Sequence, residues 1–367
     1  MGPLQGLRFL EFGGIGPGPF CGMLLSDMGA DVVRVDRTSA LVTPPPNVSG
    51  RGRRGIVLDL KDPAGVETAL RLIEQADGLF EGFRPGVMER LGLGPDVALE
   101  RNPRLVYGRA TGWGQDGPLA ARAGHDINYI ALAGALHAFG PPERPIPPLN
   151  IVGDYGGGGL YLALGLLAAI LEARRSGRGQ VIDCAMVDGA AHQMTTYFEM
   201  RARERWSDRR GENDLDGGAP AYATYECADG KWLALGAFEP EFYENLVREL
   251  GLDPVALGDR RDPARRDAIA AAIAARVKTR TRDDWAEQFA DVDACVAPVL
   301  SLAEAPKHTA NVARHVFLEI DGVPQPAPAP RFSRTPSEVR RGAPRPGEHT
   351  GEVLREWLGE PPAAATA

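Results

Sequence analysis

A chain of 367 residues with 44% hydrophobic and 25% charged positions has enough apolar material for two folded domains. Its formal net charge of −8 argues against a nucleic-acid-binding protein, which normally presents a basic face. Four cysteines without paired metal-ligand spacing predict reduced, buried thiols in a cytoplasmic protein rather than a disulfide framework or a metal site. No secretory signal precedes the first predicted strand, and the apolar run 160–171 is too short to span a bilayer, so no membrane association is expected.

Strands and helices alternate through the first 110 residues, as in an α/β domain with a mostly parallel sheet. Strands are predicted over 7–12, 31–36, 56–60, 76–82 and 105–110. A Gly-rich turn at 13–19 and a helix at 20–28 join the first two of them. Ligands of such sheets bind beyond the carboxyl ends of the strands, so the residues at those ends are the first candidates for a site.

The Gly-rich turn does not fit a dinucleotide-binding fingerprint. Gly14 and Gly16 would require a third glycine at position 19, where the chain has Pro19. Asp36, the candidate ribose-binding acid, is followed directly by Arg37, which suits a phosphate better. A nicotinamide cofactor is therefore not expected.

Six basic residues stand at or just beyond predicted strands in this acidic protein. They are Arg37, Arg53, Arg54, Lys61, Arg84 and Arg90. Such a set predicts a pocket for an anionic, multiply phosphorylated ligand. A merely solvated surface gives the same pattern, and the pattern alone leaves both open.

The second half of the chain predicts a smaller α+β domain. Two strands at 222–227 and 231–236 form a hairpin around Asp229-Gly230, and long helices are expected over 160–174 and 186–205. We expect a large domain over 1–187, a linker helix over 188–218, a small α+β domain over 219–320, a return segment to the large domain over 321–360 and a disordered tail over 361–367.

A histidine and an aspartate stand together where a helix is predicted to begin, in the stretch 124–129 (GHDINY). This position places a titratable base beside unpaired backbone N–H groups, which suits removal of a proton from carbon with formation of an oxyanion. The alternative is an aspartate cap on an ordinary helix with an incidental histidine. These six residues alone favour that alternative.

Two further carboxylates stand at predicted element boundaries. Asp154 lies at the start of an apolar helix, followed by four glycines that suit a close approach by backbone or ligand. Taken alone, it is an ordinary N-cap carboxylate. Glu239 precedes Pro240, which holds it extended where a strand ends and a helix begins.

These motifs together resemble the α-methylacyl-CoA racemases of the family III CoA-transferase (CaiB/BaiF-type) superfamily. The similarity covers nearly the whole chain, in order, and the HDINY motif is the part most specific to the racemase branch. The matching stretches are GGIGPGP (13–19), GADVVRVDR (29–37), LDLK (58–61), GFRPG (82–86), GHDINY (124–129), GD (153–154), FEPEFY (238–243), ACVAPV (294–299) and PAPRF (328–332).

The resemblance implies a Rossmann-like large domain, a smaller α+β domain and an interlocked homodimer. Its active sites would lie between the large domain of one subunit and the small domain of the other. It implies His125, Asp154 and Glu239 as catalytic groups. It also implies CoA or substrate contacts for Arg37, Leu58, Asp59, Leu60, Lys61, Gly82, Phe83, Arg84, Arg90, Gly124, Asp126 and Tyr129. CoA is part of the substrate, so neither a metal nor a separate cofactor is expected.

Racemisation at the carbon α to a thioester needs two acid–base groups on opposite faces of that carbon. His125 and Asp154 are the predicted pair for interconverting (2R)- and (2S)-2-methylacyl-CoA, with Glu239 orienting the histidine. Ile15 and Pro17 are expected along the acyl path. A CoA-transferase would instead use Asp154 as a nucleophile, and an acyl-CoA-binding protein without activity would leave the α-proton in place.

Overall fold

The computed structural model describes residues 2–37 and 47–359, so the predicted tail at 361–367 lies outside the described residues. The chain divides into two compact units. Unit 1 comprises Met1–Ala135, Pro148–Thr195 and His315–Ala367, and unit 2 comprises Leu136–Pro147 and Thr196–Arg314.

Unit 1 contains a sheet of six parallel strands in the order β3-β2-β1-β4-β5-β6. The strands are β1 (Arg8–Phe12), β2 (Asp31–Asp36), β3 (Arg54–Val57), β4 (Gly78–Glu81), β5 (Val106–Thr111) and β6 (Gln180–Ala185). The strand order reverses between β1 and β4, so a crevice opens beyond the carboxyl ends of these two strands. The predicted α/β class with a mostly parallel sheet is confirmed.

Helices cover both faces of this sheet. They are α1 (Pro17–Asp27), α2 (Pro63–Glu74), α3 (Val87–Arg90), α4 (Pro95–Arg101), α5 (Asp126–Leu132), α6 (Tyr161–Ser176) and α7 (Met186–Gln193), with a short 3-10 helix at Val48–Gly50. Side chains alternate along each strand, so neighbouring residues serve different cores. Leu10 belongs to a core shared with α2, whereas Phe9 belongs to a core shared with α1 and α6.

A π-helix, Ile151–Leu160, runs directly into α6, which the expected helix over 160–174 did not include. Glycines allow its backbone to approach α7 closely, since a Cβ on Gly189 would lie 2.0 Å from the Gly157 carbonyl oxygen. The continuous run Ile151–Ser176 has 26 residues and, by length and composition, could cross a membrane. The apolar run 160–171, expected to be too short to span a bilayer, is thus part of a longer helix, whose most apolar window is 50% buried inside the protein, as in a core helix.

Unit 2 carries the predicted hairpin within an antiparallel sheet of order β7-β8-β9. Its strands are β7 (Thr224–Glu226), β8 (Trp232–Leu235) and β9 (Val296–Pro298). Its helices are α8 (Thr195–Ala202), α9 (Pro240–Leu250), α10 (Pro254–Leu257), α11 (Arg266–Val277), α12 (Arg282–Gln288) and α13 (Thr309–Ala313), with 3-10 helices at Leu136–Ala138, Pro263–Arg265 and Ala305–Lys307. The single helix expected over 186–205 is wrong, because α7 ends at Gln193 and α8 begins at Thr195.

The last described residues return to unit 1. They form a hairpin of β10 (Phe317–Ile320) and β11 (Val323–Pro326), followed by α14 (Thr350–Leu358). The indole nitrogen of Trp357 in α14 donates to Asp31 Oδ2 at 2.9 Å. The buried Arg51 donates to Gln325 Oε1 in β11 at 2.9 Å. Hydrogen bonds therefore connect both the hairpin and α14 to the rest of unit 1.

Candidate active site

A pocket of about 280 Å³ lies at the carboxyl edge of the parallel sheet, within unit 1. Its walls come from the segments that follow β1, β4 and β5 and from the beginnings of α5 and α7. This is the crevice created by the reversal of strand order, where α/β sheets bind their ligands. His125 and Asp154 both line it.

His125 is the N-cap residue of α5 and is exposed to solvent. Its backbone N–H donates to the side-chain oxygen of Asn128 at 3.0 Å, which fixes the entry of the chain into the helix. Asp126 is the first residue of the helix rather than its cap. The alternative of an aspartate-capped helix with an incidental histidine is therefore wrong in its geometry, because the histidine occupies the cap and faces the pocket.

Asp154 lies in the first turn of the π-helix, not at an N-cap position. Its Oδ2 accepts a hydrogen bond from the side-chain amide of Asn150 at 3.0 Å. Burial raises the pKa of Asp154, the Asn150 hydrogen bond lowers it, the Asp126 charge raises it and the His125 charge lowers it, and the net direction is upward. A carboxyl with a raised pKa is better suited to accept and return a proton near neutral pH.

Asp126 is buried and does not line the pocket. Its Oδ2 accepts the backbone N–H of Asp154 at 2.7 Å, so one predicted site residue anchors another. Its buried Oδ1 has no hydrogen-bond partner in the part of the chain that the structure describes. Gly153 makes room for this contact, since a Cβ there would lie 2.4 Å from Asp126 Oδ2.

In the turn after β1, Gly16 packs against the carboxylate of Asp154. Gly16 has a left-handed φ of 70°, which glycine adopts at no steric cost. A Cβ at this position would lie 2.8 Å from Asp154 Oδ2. Ile15 and Pro17, on either side, line the pocket as expected for the acyl path.

Aromatic residues form a further wall of the pocket, in which Tyr129 was expected from the sequence and Trp113 was not. The rings of Trp113 and Tyr129 meet edge to face with centroids 4.8 Å apart. Gly112 and Gly124 pack against Tyr129, since a Cβ on either would lie 2.0 Å and 2.6 Å from its ring. The only sequence signal for Trp113 was its place just beyond the fifth predicted strand.

The structure brings part of the expected CoA-contact set into this pocket. Gly82, Phe83, Arg84, Gly124 and Tyr129 line it. The remaining residues of the set lie outside the lining, and they are Asp126, described above, and Arg37, Leu58, Asp59, Leu60, Lys61 and Arg90.

Arg37 and 58–61 follow the paired ends of β2 and β3, where Asp36 faces Val57, and so share the carboxyl edge. The side chain of Leu58 is buried in the core beside α2, so only its backbone could meet a ligand.

Two of the six basic residues do not serve an anion pocket. Arg53 is fully buried and donates from Nε to Glu11 Oε2 at 2.9 Å. Arg54 begins β3 and pairs with Asp31 and with carboxylates of α14. A buried arginine with carboxylate partners already has its hydrogen bonds made inside unit 1, so these two are not available to bind an anion. Arg37, Lys61, Arg84 and Arg90 are exposed.

Glu239 belongs to unit 2, whereas His125 and Asp154 belong to unit 1. It is exposed and extended, with φ −73° and ψ 149°, and caps α9 immediately before Pro240, as predicted. Phe238 beside it stacks on Tyr222 with ring centroids 4.9 Å apart, which fixes the preceding turn. Its predicted contact with His125 stays a prediction.

None of the described cysteines lines the pocket. Cys21, Cys184 and Cys227 are buried free thiols, as predicted, whereas the prediction of a buried thiol is wrong for Cys295, which is exposed. Over residues 2–37 and 47–359, no group of three or more His, Cys, Asp or Glu side chains is arranged to hold a metal ion.

Comparisons with known proteins agree with this geometry. The model of the family described as CoA-transferase family III matches residues 4–350. The chain is 46% identical over 358 residues to an alpha-methylacyl-CoA racemase of Mus musculus, covering 96% of this chain and 93% of the relative. It is 43% identical over 367 residues to the protein of the same name from Homo sapiens, with the same coverage. A solved CAIB/BAIF family protein from Brucella suis superimposes with a TM-score of 0.85 at 26% identity, covering 97% of this chain and 99% of that one.

Proposed function

Since the chain belongs to CoA-transferase family III, we propose that it interconverts (2R)- and (2S)-2-methylacyl-CoA thioesters by proton transfer through an enolate. The two racemases at 46% and 43% identity support this reaction over others of the family. The observation that carries the proposal is the common pocket of His125 and Asp154 at the carboxyl edge of the sheet. A racemase needs two acid–base groups around one carbon, and this pocket supplies two.

In the proposed reaction, one group removes the α-proton and the other delivers a proton to the opposite face. Asp154 fits the acid–base role because burial raises the pKa of its carboxyl. Histidine as a residue type titrates near neutrality and fits the opposite role. Glu239, contributed by a second subunit, would accept a hydrogen bond from His125 and stabilise its protonated form.

The enolate oxygen requires hydrogen-bond donors that are in place before the proton leaves. The first backbone N–H groups of a helix have no acceptor within the helix, and α5 begins directly after His125. We assign the thioester oxygen to this first turn. The Asn128 side chain, which already holds the His125 amide, keeps the turn rigid.

CoA would serve as the handle that brings the acyl carbon to this pair. Arg84 stands in the pocket wall, and Arg37, Lys61 and Arg90 are exposed at segments that follow β2, β3 and β4. Guanidinium and ammonium groups bind phosphates strongly. Binding energy gained on this remote part of the substrate can be used to align the α-carbon.

A homodimer is part of the proposal. Leu160, Leu164 and Leu171 are 51%, 64% and 69% exposed and lie on one face of the run Ile151–Ser176 at helical spacing. An exposed apolar stripe of this kind supports a contact with another protein surface. A second copy of the chain would cover it and bring its own Glu239 to the site.

A CoA-transferase remains the second candidate, because the family is named for that activity. Gly16 places no side chain against the Asp154 carboxylate, which a nucleophilic role would require. This reading leaves His125 without a role in the pocket, which favours the racemase.

The test is to incubate a single epimer of a 2-methylacyl-CoA with the protein in D2O. The proposal predicts deuterium at the α-carbon together with loss of stereochemical purity. Transfer of CoA to an added carboxylic acid without α-exchange would replace the racemase by the transferase. Binding of the thioester with neither reaction would leave an acyl-CoA-binding protein.

A further inference from the structure

A buried arginine, Arg109, connects the end of strand β4 to helix α3, which follows it. Arg109 lies in β5 directly opposite Glu81, the last residue of β4. Its Nε donates to Glu81 Oε1 at 3.1 Å. Its Nη1 and Nη2 donate to the two carboxylate oxygens of Glu89 in α3, at 2.8 Å and 3.2 Å. Arg109 therefore binds both carboxylates at once with its forked guanidinium.

The same network holds the backbone of the pocket wall. The second oxygen of Glu81 accepts the backbone N–H of Phe83 at 2.6 Å. Phe83 immediately precedes Arg84, which lines the pocket, and Glu89 immediately precedes the exposed Arg90. Each of these two arginines is therefore one residue from a group held by the Arg109 network.

The segment between them has little local reason to be rigid. It contains Pro85 and then Gly86, which has a left-handed φ of 81° and so turns the chain sharply. Helix α3 is only four residues long, and a helix of one turn is not stable by itself. Its position must come from tertiary contacts, and the Glu89 pair with Arg109 is one that reaches the sheet.

We propose that Arg109, acting with Glu81 and Glu89, is a positioning residue that holds Arg84 and Arg90 in place for the phosphates of the CoA handle. Arg109 itself does not line the pocket, so it acts through the segments that it binds. The inference rests on the proposed function, because CoA is the ligand that the two arginines would meet. It adds that recognition of CoA depends on a buried network outside the pocket.

Several features fit a positioning role. The Arg109 and Glu81 side chains are 8% and 1% exposed, so their geometry is confined by the sheet. Burial raises the pKa of Glu81 to about 6, although its hydrogen bond from the Phe83 amide and the charge of Arg109 lower it. Above that pH the Glu81 carboxylate is ionised and can accept both hydrogen bonds. The guanidinium is the one cationic side chain that can donate to both carboxylates in this fork.

The experiment compares a 2-methylacyl-CoA with the same acyl group on pantetheine, which lacks the nucleotide and its phosphates. The variants are Arg109→Met, Arg109→Lys and Glu89→Ala, assayed well above pH 6. Loss of positioning should raise KM for the CoA thioester about tenfold while leaving kcat and the pantetheine thioester nearly unchanged. Arg109→Lys, which can still meet Glu81 but cannot fork to Glu89, should fall between wild type and Arg109→Met. Titration with free CoA should show the same order of weakening.

Glu89→Ala keeps the test valid if Arg109→Met fails to fold, because the Glu89 side chain is 44% exposed and tolerates removal. The matched control is Arg54→Met. Arg54 is equally buried, also binds several carboxylates, and begins β3 at the edge opposite the pocket. This control should lower Tm without changing the ratio of KM values for the two thioesters.

The outcomes separate the inference from the function on which it rests. Variants that lose both thioesters equally, or that keep the wild-type preference for CoA, would overturn the positioning role. A wild-type protein that exchanges the α-proton but does not distinguish CoA from pantetheine would also overturn it. Absence of α-exchange in the wild type, with CoA binding still weakened by the variants, would overturn the racemase and leave the positioning role standing.

Discussion

The two proposed acid–base groups lie in helical segments that begin in different ways. His125 caps a short, regular helix and is exposed, with its amide bound to Asn128. Asp154 lies within a π-helix, where Asn150 holds its carboxylate and Asp126 holds its amide. Burial raises the pKa of the Asp154 carboxyl, whereas the His125 side chain lies open to solvent. Asp154 is therefore held by side chains at both its carboxylate and its amide, whereas Asn128 holds His125 at its amide.

Removing either acid–base group should have the largest effect. We expect Asp154→Ala and His125→Ala each to lower racemisation by about a thousandfold, the scale of a lost general base or acid. Neither residue is expected to hold the CoA phosphates, so free CoA should bind with nearly unchanged Kd in calorimetry. Racemisation within tenfold of wild type in either variant would remove that residue from the pair.

Replacing Asn150, which donates to the Asp154 carboxylate, should have the next largest effect on activity. In Asn150→Leu, loss of the hydrogen bond that lowers the pKa of Asp154 should raise that pKa further. The acidic limb of the kcat profile should then move to higher pH, and kcat near neutrality should fall about tenfold. Gln193→Leu is the matched control, since its amide donates to Val152 in the same π-helix but does not bind Asp154. An unshifted acidic limb in Asn150→Leu would contradict this support.

The glycine that abuts Asp154 should show a smaller effect on activity. Gly16→Ala should reduce kcat about fivefold, because the new Cβ would meet the carboxylate and the left-handed φ is strained. Gly6 provides the control, since its φ of 87° is also left-handed, with nothing within 4 Å of the added Cβ. Gly6→Ala should lower Tm but keep wild-type kcat. Equal kcat in the two variants would show that the contact with Asp154 is unimportant.

The smallest expected effect is one on stability. Because folding raises the pKa of Asp154, its ionisation above that pKa opposes the folded state, and the opposition is absent below the ordinary pKa of an aspartate. Asp154→Asn should therefore raise Tm at neutral pH, and the gain should vanish as the pH falls below about 4. If the Tm gain of Asp154→Asn persists unchanged in acid, the gain comes from packing and not from the ionisation of Asp154.

Local patterns were enough to predict much of the parallel sheet of unit 1 and the hairpin of unit 2. Alternating strands and helices predicted the parallel sheet, and Asp229-Gly230 predicted the hairpin, because each depends on residues close in sequence. The position of His125 at a helix start was readable for the same reason. The resemblance to a family, rather than any local pattern, supplied its catalytic role and those of Asp154 and Glu239.

Contacts between distant residues were not predictable in this way. Arg53 and Arg54 looked like ligands for an anion, and only the fold shows that Glu11 and the carboxylates of α14 occupy them. The π-helix around Asp154 depends on how closely α7 can approach its glycines. Asp126 likewise turns its carboxylate to an amide 28 residues away.

The central claim is that His125 and Asp154 serve opposite faces of one carbon. The most direct measurement is α-deuterium incorporation into each pure epimer in D2O, by Asp154→Ala and by His125→Ala separately. The account predicts that each variant exchanges a proton only from one epimer, that the two variants select different epimers, and that neither inverts the carbon. Exchange of the same epimer by both variants, or continued inversion by either, would contradict it.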